Sequence, residues 1–180
     1  MKAKKLLLPL LLFCITLFAM VGCTDNKVLD KPQDTSLEFW VMQDVSDIDF
    51  SGHYKLHGFG ADFYYGKGYQ PTEIIEGSEV IAPEHCVIYT VSPYPDYSSG
   101  GRHVTRIAIT DPQVTVYGIT CGSTLQDFDA TFENLGCTIQ DKGLIHIATY
   151  GKVKIALASY DENKELTVWV EVTNKQGIDF

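Results

Sequence analysis

Positive charge is what this chain has least of. Its 180 residues carry 14 Lys and Arg against 23 Asp and Glu, for a formal net charge of −9. So acidic a chain is a poor nucleic-acid binder, because that affinity comes mainly from neutralising phosphates. Residues 1–22 hold Lys2, Lys4 and Lys5 and no acid, so without them the remaining 158 residues carry −12. The same excess works against direct adhesion to anionic surfaces. Catalytic signatures are missing as well. No serine sits in a Gly-x-Ser-x-Gly elbow, no cysteine has the local signature of a thiol hydrolase, and Gly66-Lys67-Gly68 lacks the spacing of a phosphate loop. Cys-x-x-Cys spacing is absent, and Asp44, Asp47 and Asp49 lack the glycine and terminal glutamate of a calcium loop. These absences read as a protein that is not an enzyme and uses no cofactor and no metal.

Long apolar sequence occurs once, at the start. Lys2, Lys4 and Lys5 precede an apolar run from Leu6 to Val21, which ends on Gly22 and Cys23. A short basic segment, a run of this length and a small residue make an export signal rather than a membrane span. A cysteine directly after that small residue resembles the lipobox of bacterial lipoproteins. The resemblance implies that Cys23 is acylated and becomes the new N-terminus. It also implies that the protein sits on the extracytoplasmic face of the cell membrane, held there by its lipid. Residues 24–36 are polar, with Asp25, Asn26, Asp30 and Asp34, and read as a tether. The organisation expected is a leader at 1–22, a tether at 23–36, and two folded units at 37–111 and 112–180.

Cysteine is scarce in those units, and its count is odd: Cys86, Cys121 and Cys137. Cys121 and Cys137 flank a predicted helix about 18 Å long at 1.5 Å per residue, too far apart to be bridged. Two readings stand. All three are buried small apolar residues, or Cys86 pairs with Cys121 or Cys137.

The clearest element is that helix, from about Ser123 to Leu135. Ser123 and Gln126 have capping-box spacing, Leu125, Phe128, Phe132 and Leu135 make one apolar stripe, and Gly136 supplies the stop. Beyond it the period falls to two, predicting strands at Leu144–Tyr150, Val153–Ser159 and Leu166–Thr173. The first half follows the same plan less tidily. Aligning Phe39 with Tyr117 pairs Asp49 with Asp127, Phe50 with Phe128 and Gly58 with Gly136. That alignment predicts a first helix near Ser46–Leu56, interrupted by Ser51 and Gly52, and strands at Cys86–Ser92 and Val104–Thr110. The fold class expected is α+β, with two sequence-related halves. Each would be a helix packed on an antiparallel sheet, and the two sheets could join into one curved sheet.

The run Tyr117-Gly118-Ile119-Thr120-Cys121-Gly122-Ser123-Thr124, followed by the helix and the Leu135-Gly136 exit, resembles the repeat of the β-lactamase-inhibitor-protein-like superfamily. The whole chain also resembles uncharacterised lipoproteins of Gram-positive gut bacteria such as clostridia. These resemblances imply a fold and a location, and no functional residues to carry over.

Function is sought in the aromatic residues. Phe63, Tyr64, Tyr65 and Tyr69 lie in a Gly-rich stretch, and Tyr94 and Tyr97 lie in a hairpin loop stiffened by Pro93 and Pro95. Arg102 follows Gly100-Gly101 at the end of that loop and could meet an anion. Tyr94, Tyr97 and Arg102 are the binding residues singled out. The function expected is an interaction module for a protein or envelope partner. Its rivals are a cell-wall or glycan binder that stacks sugars on tyrosine, and an exported hydrolase with a site assembled from distant residues.

Overall fold

A computed structural model describes residues 29–58, 60–69, 84–93, 101–160 and 164–171. Four strands come first along the chain: β1 (Lys55–Gly58), β2 (Ala61–Tyr65), β3 (Val87–Pro93) and β4 (Arg102–Ile109). Helix α1 (Leu125–Asn134) follows. After it come β5 (Thr138–Asp141), β6 (Ile145–Tyr150), β7 (Val153–Ser159) and β8 (Lys164–Val170). All eight strands form one antiparallel sheet in the order β1-β2-β3-β4-β8-β7-β6-β5. Each group of four is a meander, and the two meet where Ile107 of β4 faces Val168 of β8 and Ile109 faces Leu166. Gly151, at φ +57, makes the two-residue connection from Tyr150 to Val153 that a side chain would strain.

Alternation gives the sheet a main core face. Val153, Ile155 and Leu157 on β7 and Leu166, Val168 and Val170 on β8 are all buried there, together with Val104, Ile107 and Ile109 of β4. Onto it α1 lays Phe128 and Phe132, both fully buried and with ring centroids 4.7 Å apart. Burying a side chain of this size contributes about 1.5–3 kcal/mol. Leu37, Phe39, Trp40 and Val41 cover the first meander in place of a helix. On the opposite face Tyr65, Cys86, Ile88 and Ala108 form a smaller apolar cluster, flanked by Tyr54, Leu56, Phe63 and Tyr69.

The expected pair of helix-on-sheet halves is overturned. Among the described residues there is one α-helix against eight strands of a single sheet. Where a first helix was predicted, the chain makes only a 3-10 turn, Val45–Asp47, and β1 begins at Lys55. The cause is local. Asp44 accepts from the Ser46 N–H and Asp49 from the Ser51 N–H, both at 2.8 Å, and Gly52 stands at φ +82. Side chains that bond the backbone two residues on offer it an alternative to the helical ladder.

Helix α1 keeps its predicted place but is capped one residue later than the motif suggests. Thr124 accepts from the Asp127 N–H at 3.1 Å, while Ser123 is occupied accepting from the Thr120 N–H at 3.0 Å. Gly136 ends it at φ +80. The polar segment expected as a tether is docked on the domain from Leu29 onward. Trp40 Nε1 donates to the Leu29 carbonyl at 2.8 Å, the Tyr117 hydroxyl donates to the Asp30 carbonyl, and the Thr35 hydroxyl donates to the Thr115 carbonyl. Composition alone hides this, because the docking uses backbone carbonyls, the Thr35 hydroxyl and only two buried side chains, Leu29 and Pro32.

Candidate functional site

At one end of the first meander a buried acid gathers three bases. In the β1–β2 hairpin His57 lies opposite Asp62 and Lys55 opposite Tyr64, so alternation puts Lys55, His57 and Asp62 on one face. Arg102 reaches that face through a β-bulge. Thr90 pairs with Arg106 but Val91 pairs with Val104, leaving Thr105 as an extra residue in β4. In an unbulged ladder His103 and Thr105 would share the face of Val91 and Asp62. The extra residue exchanges them for Arg102 and Val104. Thr105 itself bonds the Ser92 hydroxyl at 2.9 Å and donates to the Thr90 carbonyl at 3.3 Å.

The geometry around Asp62 is close. Lys55 Nζ lies 2.9 Å and Arg102 Nη1 2.8 Å from its Oδ2, and His57 Nδ1 lies 2.7 Å from its Oδ1. Burial pushes the Asp62 carboxyl up. The hydrogen bonds from Lys55, His57 and Arg102 together outweigh it and hold the group well below the usual carboxylate range. In return the bond to Asp62 raises the Lys55 ammonium. Lys55 Nζ also sits 5.6 Å from the centroid of the Tyr64 ring, which is stacked on Phe50 at 3.7 Å.

Two other acid–base groupings lie apart from this one. His53 is wholly buried among Phe39, Phe50 and Tyr89, with Nε2 3.2 Å from Glu38 Oε1, and Lys67 reaches the other Glu38 oxygen at 2.7 Å. His146 on β6 has Nδ1 2.7 Å from Asp129 of α1 and Nε2 3.2 Å from Asp141 of β5, tying helix and edge strand to one ring. His53 and His57 stand four apart, a spacing that ligates metals on a helix. Here turn and strand separate them, and each faces its own carboxylate. The thiols are unsuited to attack. Burial pushes Cys86 up to about 11 and raises Cys121 and Cys137 as well, so all three stay protonated at neutral pH. All three are free. Cys86 belongs to the smaller cluster and Cys121 to the main core, on opposite faces of the sheet.

Of the residues singled out by sequence, Arg102 is in the cluster. Tyr94 and Tyr97, which precede it in the sequence, and Cys23 lie outside the described residues. The other aromatic residues mostly pack: Tyr65 is buried and stacked on Tyr69 at 5.5 Å, and Tyr89 is buried, its hydroxyl accepting from the Glu38 N–H at 3.0 Å. Asp62, Lys55 and His57 were missed. Gly58-Phe59-Gly60 would have flagged them had it been read as a hairpin turn, since that folds His57 back onto Asp62.

No family model, curated protein or solved structure matches this chain.

Proposed function

We propose that this protein is a lipid-anchored binding module, held on the extracytoplasmic face of the membrane through Cys23, that engages a protein or envelope partner without turning it over. The observation that carries the reading is the fixing of Arg102. It stands at the end of the segment bearing Tyr94 and Tyr97, its guanidinium pinned by Asp62 and by the Val91 carbonyl at 3.3 Å while its side chain stays 42% exposed. A rigid, accessible cation that follows two tyrosines in the sequence is the composition of a recognition surface rather than of a core. The three histidines described above face carboxylates, an arrangement that orients and ties elements together. The leader that resembles a lipobox supports the anchor, and the acidic surface supports a partner that is not nucleic acid.

The test uses the full chain in non-ionic detergent as bait for cell-surface extracts. A defined partner should be captured by the wild type and lost on Arg102→Ala and on the double change Tyr94→Ala, Tyr97→Ala. Capture that none of these changes alters would remove this end of the sheet from the binding surface. Cys23→Ser should release the protein from the membrane fraction; retention there would remove the anchor.

A further inference from the structure

Burial of Asp62 calls for one counter-charge, yet the fold supplies two permanent cations and a histidine. One hydrogen-bonded cation neutralises a carboxylate. The second leaves net positive charge at this spot in a chain whose total is −9. Exposure divides the group in two: the Asp62 side chain is 4% exposed, those of Lys55, His57 and Arg102 are 49, 72 and 42% exposed. The carboxylate is therefore the floor and the bases are a rim that water reaches. Lys55 Nζ and Arg102 Nη1 share Oδ2, so they stand within two hydrogen-bond lengths of each other. Long head groups held in this way have already lost the freedom that a ligand would otherwise cost them.

The donors left over suit one kind of anion. Arg102 commits one N–H of Nη1 to Asp62 and one of Nη2 to the Val91 carbonyl, which fixes its plane and leaves three of its five donors for an outside acceptor. Lys55 does not spend all three of its N–H bonds on the protein, and the exposed ring of His57 stands beside it. One excess charge from Lys55 and Arg102 matches a monoanion, while the acidic chain as a whole repels polyanions.

We propose that the rim of Lys55, His57 and Arg102 binds a single carboxylate group, supplied by a peptide chain end or by a free small acid. This rests on the reading of the protein as a binding module and names the chemistry that the module recognises.

The test titrates the full chain, in non-ionic detergent, with N-acetyl-trialanine bearing a free C-terminus. The same peptide as its C-terminal amide, acetate and inorganic phosphate are run beside it. The readouts are heat of binding and the ring resonances of His57. The free-acid peptide should saturate and shift the His57 signals, and its amide should bind at least about tenfold more weakly. Lys55→Gln should weaken the acid by roughly tenfold, and Lys142→Gln, exposed in the turn between β5 and β6, should not. Acetate as tight as the peptide assigns the site to free acids, and weaker acetate assigns it to chain ends; both uphold it. Phosphate binding tighter than the acid, or unmoved His57 signals in the wild type, overturns it, and neither result depends on a variant folding. If surface-extract capture succeeds and this titration fails, the module stands with a different ligand. If capture fails and the titration succeeds, the carboxylate site stands without a protein partner.

Discussion

Lys55 and Arg102 meet on the same oxygen of Asp62, at 2.9 and 2.8 Å, although β1 and β4 are separated in the sheet by β2 and β3. Three of the four strands in the first meander are thereby tied at one point by charge as well as by their ladders.

Loss of that point should be measurable. Asp62→Asn keeps the shape and removes the charge, leaving three water-exposed bases with no anion between them. Breaking a buried pair costs about 3–5 kcal/mol, and because the partners here reach water the expected loss is nearer about 2 kcal/mol. The loss should depend on pH. The folded Asp62 carboxyl lies below its ordinary value of 3.8, so its stabilisation is complete above that value and disappears as pH falls toward the folded one. Urea midpoints of wild type and Asp62→Asn should therefore differ at about pH 6 and converge below about pH 4. A gap that stays constant across that range would show that Asp62 acts through packing alone.

The bulge brings Arg102 to Asp62 by spending one extra residue. Deleting Thr105 leaves Val104 opposite Val91 and Arg102 opposite Pro93 in a regular ladder, so Arg102 stays on the face of Asp62. By urea midpoints, Arg102→Ala should therefore cost about 1 kcal/mol in the wild type and in the deletion background alike. A cost that vanishes in the deletion background would mean that the geometry of the bulge, beyond its register, aims this residue.

Helix α1 is expected to be held by packing far more than by its cap. Phe132→Ala empties a fully buried site and should cost about 3–5 kcal/mol, whereas Thr124→Ala removes one capping hydroxyl and should cost about 1 kcal/mol. Chemical denaturation of the two variants checks the order, and a cap variant as damaging as the phenylalanine variant would refute it.

Thiol labelling should follow burial. With each cysteine mapped by peptide mass, Cys137, half-buried, should react before Cys86 and Cys121, which are buried and protonated. Recovery of Cys86 linked to Cys121 would contradict their placement on opposite faces of the sheet.

What could be read from the residues was the part with a strong period. Strand β7 falls on the predicted Val153–Ser159, and α1 lies inside its predicted span, because β-branched alternation and a two-phenylalanine stripe leave few alternatives. Strand β5 escaped because four residues, Thr138 to Asp141, bury almost nothing on either side. The first helix failed because Asp44 and Asp49 each close a turn onto the serine two positions on, which the repeat alignment could not show. The site was the least legible. Arg102 could be suspected from its glycines, but Asp62 is one of 23 acids until a hairpin and a bulge bring its three partners to it.

The seam between β4 and β8 bears on how the chain reaches this state. Arg106 meets Glu165 across it at 3.0 Å, 59 residues later in the chain, so the centre of the sheet is its most non-local contact. Contacts of that separation form late and slowly. Until β8 has been made, the first meander presents β4 as a bare edge carrying Ile107 and Ile109, a template for pairing with other chains. Yield and aggregation during synthesis should therefore be governed by the last strand to emerge, whatever the first meander contributes to binding.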